Sequence, residues 1–516
     1  MKLIYQADKS ISKEYNAPVL LSNFLHEIGA DLSMPCNGRG ICGKCRVRAI
    51  GSLSEPTDKE RELLGDEIQR GVRLACMTTA TDDAIISPVY ADDKVLSNGH
   101  LPQYIPDEPC DGLGLAVDIG TTTIAAYLCS LSDFSILQSA GVKNPQGAFG
   151  ADVMSRLTQS LEGKGCELAD CIRRRLVSLA TELCDRVGRP IGDLKRNVIC
   201  GNTAMLYLLT NKDVTSIAKL PFRADENFGR EFTAEELGLP FAAYLSPIVS
   251  AYVGGDLSCA VTSTRIYSSD VPAMVCDIGT NGEIALFAHD RIICASAAAG
   301  PAFEGAGIDY GMRASEGAIS HVRYENGKVV YDTVGGGKAF GICGSGLVDA
   351  IAVMLDLGVI NNSGVLNDAF LRDHHDERVY YIGDSDVFIS QKDIRSVQLA
   401  KGAICAGIHT VLRAARIEPS EVGSFVIAGG FGSSIDPVSA EKIGLIPKGF
   451  AAVASIAGNA AGMGAVMTLL SSRERAACEV IARAGETAEL GSSKFFMYQY
   501  IQCMNFGDPD EMEMDE

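Results

Sequence analysis

The 516-residue sequence contains no apolar run approaching the ~20 residues that a membrane-spanning helix needs. The small-residue stretch 457–470 comes nearest, and its glycine and alanine content predicts a closely packed soluble helix instead. Basic stripes are also missing. Lys and Arg number 45 against 65 Asp and Glu, a net charge of −20, which argues against a nucleic-acid or anionic-membrane surface. No Walker A G-x4-G-K-[ST] occurs, and no Rossmann G-x-G-x-x-G opens a helix after a strand, so P-loop and dinucleotide readings lose their usual support. A secretory signal is lacking too. Most of the 17 cysteines stand singly in apolar runs, among them Cys129, Cys200, Cys259, Cys276 and Cys294. That is the pattern of a reducing compartment, where free cysteine serves as a small hydrophobe. A soluble, cytoplasmic protein of about three or four domains is expected, ending in a solvated acidic tail over 508–516.

Four cysteines depart from this pattern. Three fall in Pro35-Cys36-Asn37-Gly38-Arg39-Gly40-Ile41-Cys42-Gly43-Lys44-Cys45, and Cys76 follows on a segment expected to be extended, 72–76. Thiolates hold a two-iron cluster when three come from one tight loop and the fourth returns from elsewhere in the fold. Gly38, Gly40 and Gly43 let the backbone approach and aim amide N–H groups at sulfide. The first gap is five residues rather than the plant-type four, which resembles the adrenodoxin-type variant. A zinc site would more naturally offer two C-x2-C knuckles, and only Cys42/Cys45 forms one.

Around that loop, 2–5 and 45–49 read as strands, 20–30 as a short amphipathic helix and 59–64 as a second helix. This is the order of a β-grasp ferredoxin, so 1–90 is assigned to a 2Fe-2S ferredoxin-like domain. Residues 91–112 are polar and rich in Pro and Asp, which is linker composition. Beyond them the texture changes to apolar strands ending in glycine turns. Leu113-Gly114-Leu115-Ala116-Val117-Asp118-Ile119-Gly120-Thr121-Thr122-Thr123 runs into a second apolar strand. Ala273-Met274-Val275-Cys276-Asp277-Ile278-Gly279-Thr280-Asn281-Gly282-Glu283 repeats the same grammar. A duplicated architecture follows, with a first lobe over 113–270 and a second over 271–516.

An Asp-Ile-Gly-Thr turn is suited to phosphate: glycine admits unusual backbone angles, while N–H groups and threonine hydroxyls point into its mouth. The carboxylate at the strand end then has a role in holding Mg²⁺ and orienting water. One such turn is weak support, since an ordinary hairpin has the same sequence; two facing each other form a clamp for a triphosphate. Ser424-Phe425-Val426-Ile427-Ala428-Gly429-Gly430-Phe431-Gly432-Ser433 adds a strand ending in glycines, where absent side chains leave room for an adenosine.

With these turns the chain resembles the superfamily of acetate kinase, sugar kinases, Hsp70 and actin, and Gly458-Asn459-Ala460-Ala461-Gly462-Met463-Gly464-Ala465 looks like its connecting helix. The added ferredoxin unit narrows the resemblance to the ATP-dependent reductive activators of corrinoid proteins and corrinoid-dependent methyltransferases. It extends through Gly201-Asn202-Thr203-Ala204-Met205, Gly254-Gly255-Asp256, Gly300-Pro301-Ala302-Phe303-Glu304-Gly305 and Gly341-Ile342-Cys343-Gly344-Ser345-Gly346-Leu347. Compared with longer members, the brief linker leaves little room for a separate middle domain, and their dimerisation mode is not expected to transfer. Cys478 and Cys503 stand alone, unlike the cysteine runs of methanogen-type activators with additional four-iron clusters.

The resemblance implies an α+β, β-grasp 2Fe-2S ferredoxin-like domain followed by a duplicated, two-lobed, actin-like (ribonuclease H-like) α/β ATPase. It implies ATP-dependent reduction of inactive Co(II) to Co(I) in a corrinoid protein, with an upstream low-potential electron donor and a second copy of the chain as candidate partners. Cys36, Cys42, Cys45 and Cys76 are the expected cluster ligands. Asp118 and Asp277 are the expected catalytic and Mg²⁺-binding carboxylates, with Gly120, Thr121, Thr122, Thr123, Gly279, Thr280, Asn281 and Gly282 at phosphate and Gly429, Gly430 and Gly432 at adenosine. Asp256 and Glu304 rank second, being equally readable as surface turn carboxylates. Asp373-His374-His375-Asp376 reads as a solvated charged segment. The rival readings are a small-molecule kinase carrying a redox-sensing domain, an activator of a radical dehydratase, and a non-catalytic electron carrier.

Overall fold

The computed structural model describes residues 1–6, 10–28, 40, 45–88, 101–375, 377–430 and 434–507. Cys36, Cys42, Asp376, Gly432 and the acidic tail 508–516 therefore lie outside the described residues.

In the N-terminal unit, β1 (Lys2–Gln6) pairs antiparallel with β2 (Ser10–Glu14) and parallel with β5 (Thr79–Pro88). β3 (Arg46–Leu53) lies antiparallel to β5 and to β4 (Val72–Leu74), giving the order β2-β1-β5-β3-β4. Helix α1 (Leu21–Glu27) buries Leu21, Phe24 and Leu25, spaced i, i+3, i+4, in the core with Leu3, Val47, Leu74 and Ile86. A helix lying on a mixed sheet whose first and last strands pair parallel at its centre is the expected β-grasp arrangement. Cys76 differs from expectation. It sits in a turn just beyond β4, closed by Met77 and Thr78 N–H groups donating to the Leu74 carbonyl, so the strand ends two residues earlier than its sequence suggests.

Helix α2 (Asp58–Leu64) opens with a capping box between Thr57 and Glu60. Glu60 is fully buried, and its carboxylate accepts from Thr57 N, Arg73 Nε and Nη2, Leu74 N and Thr78 Oγ1 at 2.9–3.2 Å. Burial alone would raise its pKa; Arg73 and the other donors outweigh that and hold it low. One side chain thus pins α2 to the strand leading into the Cys76 turn.

The two lobes repeat one plan. In the first, β6 (Leu113–Ile119), β7 (Thr123–Ser130) and β8 (Ile136–Lys143) form an antiparallel meander. β9 (Leu194–Gly201), reached through the long helix α3 (Gly165–Arg186), runs parallel to β6. Helix α4 (Thr203–Thr210) follows, and β10 (Arg230–Phe232) and β11 (Ala243–Leu245) complete the order β10-β11-β9-β6-β7-β8 before α5 (Gly255–Thr264). In the second lobe β12 (Ala273–Ile278), β13 (Gly282–Ala288) and β14 (Arg291–Ala297) form the same meander. Helices α6 (Gly344–Asp356) and α7 (Gln391–Ala415) lead to β15 (Ser424–Ala428), parallel to β12, and to β16 (Ala454–Gly458), parallel to β15. Helices α8 (Ala460–Leu470) and α9 (Ser472–Ala484), strand β17 (Gly485–Thr487) and helix α10 (Lys494–Cys503) finish the chain. The glycine-rich α8 packs on the first lobe: a Cβ on Gly464 would fall 2.0 Å from the Cys259 carbonyl oxygen, so this helix–helix approach requires glycine.

Linker composition misleads for 101–112. Asp107 N–H donates to the Leu470 carbonyl, its carboxylate accepts from Ser472 and Arg196, and the Ile105 carbonyl accepts from Ser471 Oγ. This half of the segment is fastened to the end of α8.

Replacing Glu60 by Gln keeps the shape but leaves the Arg73 guanidinium buried without its counter-charge, a loss of about 3–5 kcal/mol. The variant is expected to lose its visible cluster absorbance at lower denaturant while retaining nucleotide binding. An unshifted absorbance midpoint would contradict the role given to Glu60.

Candidate functional site

Strands β6 and β12 end at the floor of a cleft between the lobes. The turns beyond them are held alike: Gly120 N–H donates to Thr123 O, and Gly279 N–H to Asn281 O, both at 2.9 Å. Their threonines meet across the cleft, Thr122 Oγ1 lying 2.7 Å from Thr280 Oγ1, which itself donates to Glu304 Oε1 at 2.6 Å. The neighbouring parallel strands also match. A Cβ on Gly201 would stand 2.6 Å from the Ile119 carbonyl oxygen, and one on Gly429 2.5 Å from that of Ile278.

Four helices begin at this cleft. Asn202 caps α4 and donates Nδ2 to Thr121 Oγ1 at 2.9 Å; Asn459 caps α8 and donates Nδ2 to Asp118 Oδ2 at 3.1 Å. Asp256 stands in the first turn of α5, and Cys343, Gly344 and Ser345 bring the start of α6 into the wall. Converging helix N-termini place partial positive charge and unbonded N–H groups where an anion would lie.

Against that field the side chains are acidic. Asp118, Asp256, Asp277, Glu283 and Glu304 line the cleft, and Arg313 is the one Lys or Arg among the described lining residues. Burial pushes Asp118 up to about 6, although Asn459 and Cys200 oppose the shift. Asp277 rises to about 8 through burial and then repulsion from Asp118 and Asp256. Burial and the same neighbours also raise Asp256 and Glu283, the latter directly opposite Asp277 in the β12–β13 ladder. Hard carboxylate oxygens crowded in this way suit a divalent cation such as Mg²⁺, which would relieve the repulsion. The cleft's threonine hydroxyls and the bare backbone at Gly429 and Gly430 suit a nucleoside triphosphate.

The expected phosphate residues Gly120, Thr121, Thr122, Thr123, Gly279, Thr280 and Asn281 all line the cleft, as do Gly429 and Gly430. Gly282 does not. Its Cβ would meet Ile404 of α7 at 2.9 Å, so packing explains the glycine there. Asp256 and Glu304, second-ranked from sequence, stand beside Asp118 and Asp277. Asn202, Glu283, Arg313, Ser345 and Asn459 were missed. Only the two asparagines carried a signal, each sitting between a strand-ending glycine and a helix. His374 bonds Tyr381, and Asp373 is an exposed partner of Arg378, consistent with a solvated segment.

In the N-terminal unit, Cys45 Sγ lies 3.2 Å from Cys76 Sγ, beyond covalent S–S length. A Cβ on Gly40, whose φ is +68°, would stand 3.0 Å from Met77 Sδ, next to Cys76. Two thiols converging from a loop and a turn fit one end of a two-iron cluster; the other two expected ligands lie outside the described residues.

Residues 6–81 match the family described as the 2Fe-2S iron-sulfur cluster binding domain, 113–269 the RACo middle region, and 272–515 the C-terminal domain of RACo, the ASKHA domain. The chain is 33% identical over 440 residues to the corrinoid activation enzyme RamQ of Eubacterium limosum, covering 80% of this chain and 74% of that protein. Identity to the Co(II) methylated amine-specific corrinoid protein reductase of Methanosarcina barkeri is 28% over 374 residues, 65% of this chain and 66% of that one. A solved reductive activator for corrinoid, iron-sulfur protein superposes with a TM-score of 0.73 at 28% identity over 99% of both chains. The expected shortfall of a middle domain is corrected by these matches: the region matched as the middle is the first lobe itself, and the solved activator is covered almost end to end.

The raised carboxylates fix a pH dependence. The folded protein keeps protons on Asp118 and Asp277 that the unfolded chain gives up above about pH 4, so the stability they contribute is complete below that pH and is lost as pH rises through about 6 to about 8. Calorimetry suits a chain without tryptophan. With chelator and no nucleotide, Tm is expected to fall across this window, and Mg²⁺ with nucleotide to restore it. Asp277→Asn is expected to raise the chelated Tm at about pH 8 by a few degrees. A chelated Tm that stays level with pH would contradict this account of the cleft.

Proposed function

The chain belongs to the family of ATP-dependent reductive activators of corrinoid proteins, and from that membership we propose that it reduces a Co(II) corrinoid protein to Co(I) at the expense of ATP. The observation carrying this reading is the presence, in one chain, of a thiol pair on a β-grasp sheet and a doubled phosphate-turn cleft. Neither a kinase nor a simple carrier needs both.

In this reading Cys36, Cys42, Cys45 and Cys76 hold a 2Fe-2S cluster, a one-electron carrier near about −400 mV if it behaves as plant-type. The cobalt couple is expected to be lower. Each 100 mV of deficit costs about 2.3 kcal/mol per electron, within reach of a nucleotide-driven change of state. Asp118 and Asp277 hold Mg²⁺ and orient the attacking water, while Gly429 and Gly430, with Gly432, border the adenosine. Thr122 and Thr280, now bonded to each other, exchange that bond for phosphate oxygens when ATP enters. Because one threonine belongs to each lobe, the exchange resets the separation of the lobes. Glu304 loses its Thr280 donor in the same step. A low-potential donor replenishes the cluster. Among the described residues no helix is long and apolar enough to cross a membrane, which supports a cytoplasmic setting.

Anaerobic mixing of the reduced protein with Co(II) corrinoid proteins is expected to give Co(I) absorbance with a cognate partner, and only with ATP. Asp277→Asn should lower that rate by about 10²–10³ while sparing the cluster spectrum. Cys76→Ser should alter the cluster and leave nucleotide affinity nearly unchanged. ATP turnover that responds to a small-molecule acceptor and to no corrinoid protein would overturn the assignment.

A further inference from the structure

Far from the cleft, α7 carries Lys401, Cys405 and His409 at i, i+4 and i+8, one above another on the face that meets α10. Cys503, the last residue of α10, comes against them. The ligand atoms of Cys405, His409 and Cys503 all lie within 4.8 Å of one another, and among the described residues no other three Cys, His, Asp or Glu side chains bring theirs so close. Both cysteines are fully buried and His409 is 8% exposed. The Cys405 thiol hydrogen-bonds both Cys503 and His409.

Ordinary core packing accounts for two buried thiols beside Ala406, Phe496 and Tyr500. It does not account for Lys401. This ammonium is fully buried one turn before Cys405, donates to the Gly444 and Asn505 carbonyls, lies 5.4 Å over the Phe506 ring and, among the described residues, forms no ion pair with a carboxylate. A buried charge without a counter-charge is costly. Lys401 shares the α7 face of Cys405 and His409, so a cation that binds there with loss of both thiol protons would bring two thiolates beside the ammonium.

We propose that Cys405, His409 and Cys503 form a buried site for a thiophilic cation, Zn²⁺ or Cu⁺, which ties α10 to α7. Two sulfurs and an imidazole nitrogen select these ions over Mg²⁺ or Ca²⁺, whose preference is for oxygen. A cysteine and a histidine four apart present both ligands on one helix face, and the third ligand comes from a different helix, so the ion cross-links the two. Binding releases both thiol protons. For Zn²⁺ a solvent molecule would complete the four ligands. The site also has a reach beyond α10: Ile404, next to Cys405, packs on Gly282 under the second phosphate turn.

The test uses the full chain with its iron–sulfur cluster already loaded, so that the cluster cysteines do not take up the added ion. Under anaerobic conditions it is equilibrated separately with buffered Zn²⁺ and buffered Cu⁺, freed of excess, and its metals counted. About one ion beyond iron is expected in one of the two arms, together with a rise in Tm. Cys503→Ser and His409→Gln should lose that ion and the Tm rise with iron content unchanged; circular dichroism shows whether each variant is folded. Absence of additional metal in both arms would overturn the proposal, as would equal uptake by folded variants. Loss of two titratable thiols in air, without metal uptake, would instead identify a Cys405–Cys503 disulfide and equally exclude the site.

Discussion

Asp118 and Asp277 each stand at the end of a central strand, one in each lobe, and their mutual repulsion is the constraint around which the cleft is arranged. Asp256 and Glu283 add to it, so the closed arrangement of these carboxylates is unfavourable in their ionised form. The fold answers locally with hydrogen bonds and helix ends: Asn459 donates to Asp118, and four helix N-termini face the same space. These partial charges moderate the repulsion but do not neutralise it. In the proposed function that deficit would give a divalent cation and a polyphosphate, which bring opposite charges together, a joint preference for this cleft. Nucleotide-free stability and nucleotide affinity are thus opposed properties of the same carboxylates.

Duplication explains the shape of the site, and divergence between the copies explains its polarity. In the first lobe Cys200 lies beside Asp118 in the parallel ladder; in the second, Ala428 lies beside Asp277. The following residues then correspond, Gly201 with Gly429 and Asn202 with Gly430. Both glycines press on the facing backbone with the same spacing. At the next position the first lobe has a side chain that caps a helix and bonds Thr121, whereas the second has none. Bare backbone on one side only leaves room for a nucleoside against the second lobe, and the acidic Glu283 on that lobe, where the first has Ala125, would draw a cation toward the same side.

Much of this was legible in the sequence, for identifiable reasons. Strand–turn–strand units such as 113–130 and 273–288 read clearly because buried strands leave near-continuous apolar runs that glycine interrupts at the turn. The ferredoxin-like unit was legible because cysteine spacing is a constraint on ligand geometry, and 6–81 match the 2Fe-2S family. Cys76 was misread as extended because a three-residue strand carries too little pattern to mark its end. Segment 101–112 looked like a free linker because Pro and Asp signal local backbone habit and say nothing about Ser472 or Arg196, hundreds and tens of residues away. Gly282 illustrates the converse: its motif position suggested phosphate, and its glycine answers to Ile404, a contact 122 positions distant that no local pattern encodes. Glu283 and Arg313 were unreadable for the same reason, since a single charged residue acquires meaning only from what the fold places opposite it.

Helix α8 bears on how nucleotide and electron transfer share one chain. At its first turn Asn459 accepts from Gly462 N–H and donates to Asp118, so the helix axis is registered to a carboxylate of the cleft. At its last turn the Leu470 carbonyl and Ser471 hydroxyl hold Asp107 and Ile105, the segment that descends from the ferredoxin-like unit. Eleven residues of helix span about 16 Å and bend little over that length. Small residues let α8 press against α5, where Gly464 meets Cys259, so it is seated as a rigid body rather than a tether. Coupling between distant sites requires an element with two discrete arrangements, biased at both ends. The threonine–threonine bond and, in the proposed mechanism, its replacement by phosphate would supply two arrangements at one end. At the other, the fastened half of the linker converts a shift of α8 into a shift of the ferredoxin-like unit's anchor. The docking of 101–112 thus carries this stretch of chain with α8, an attachment that its Pro- and Asp-rich composition does not signal.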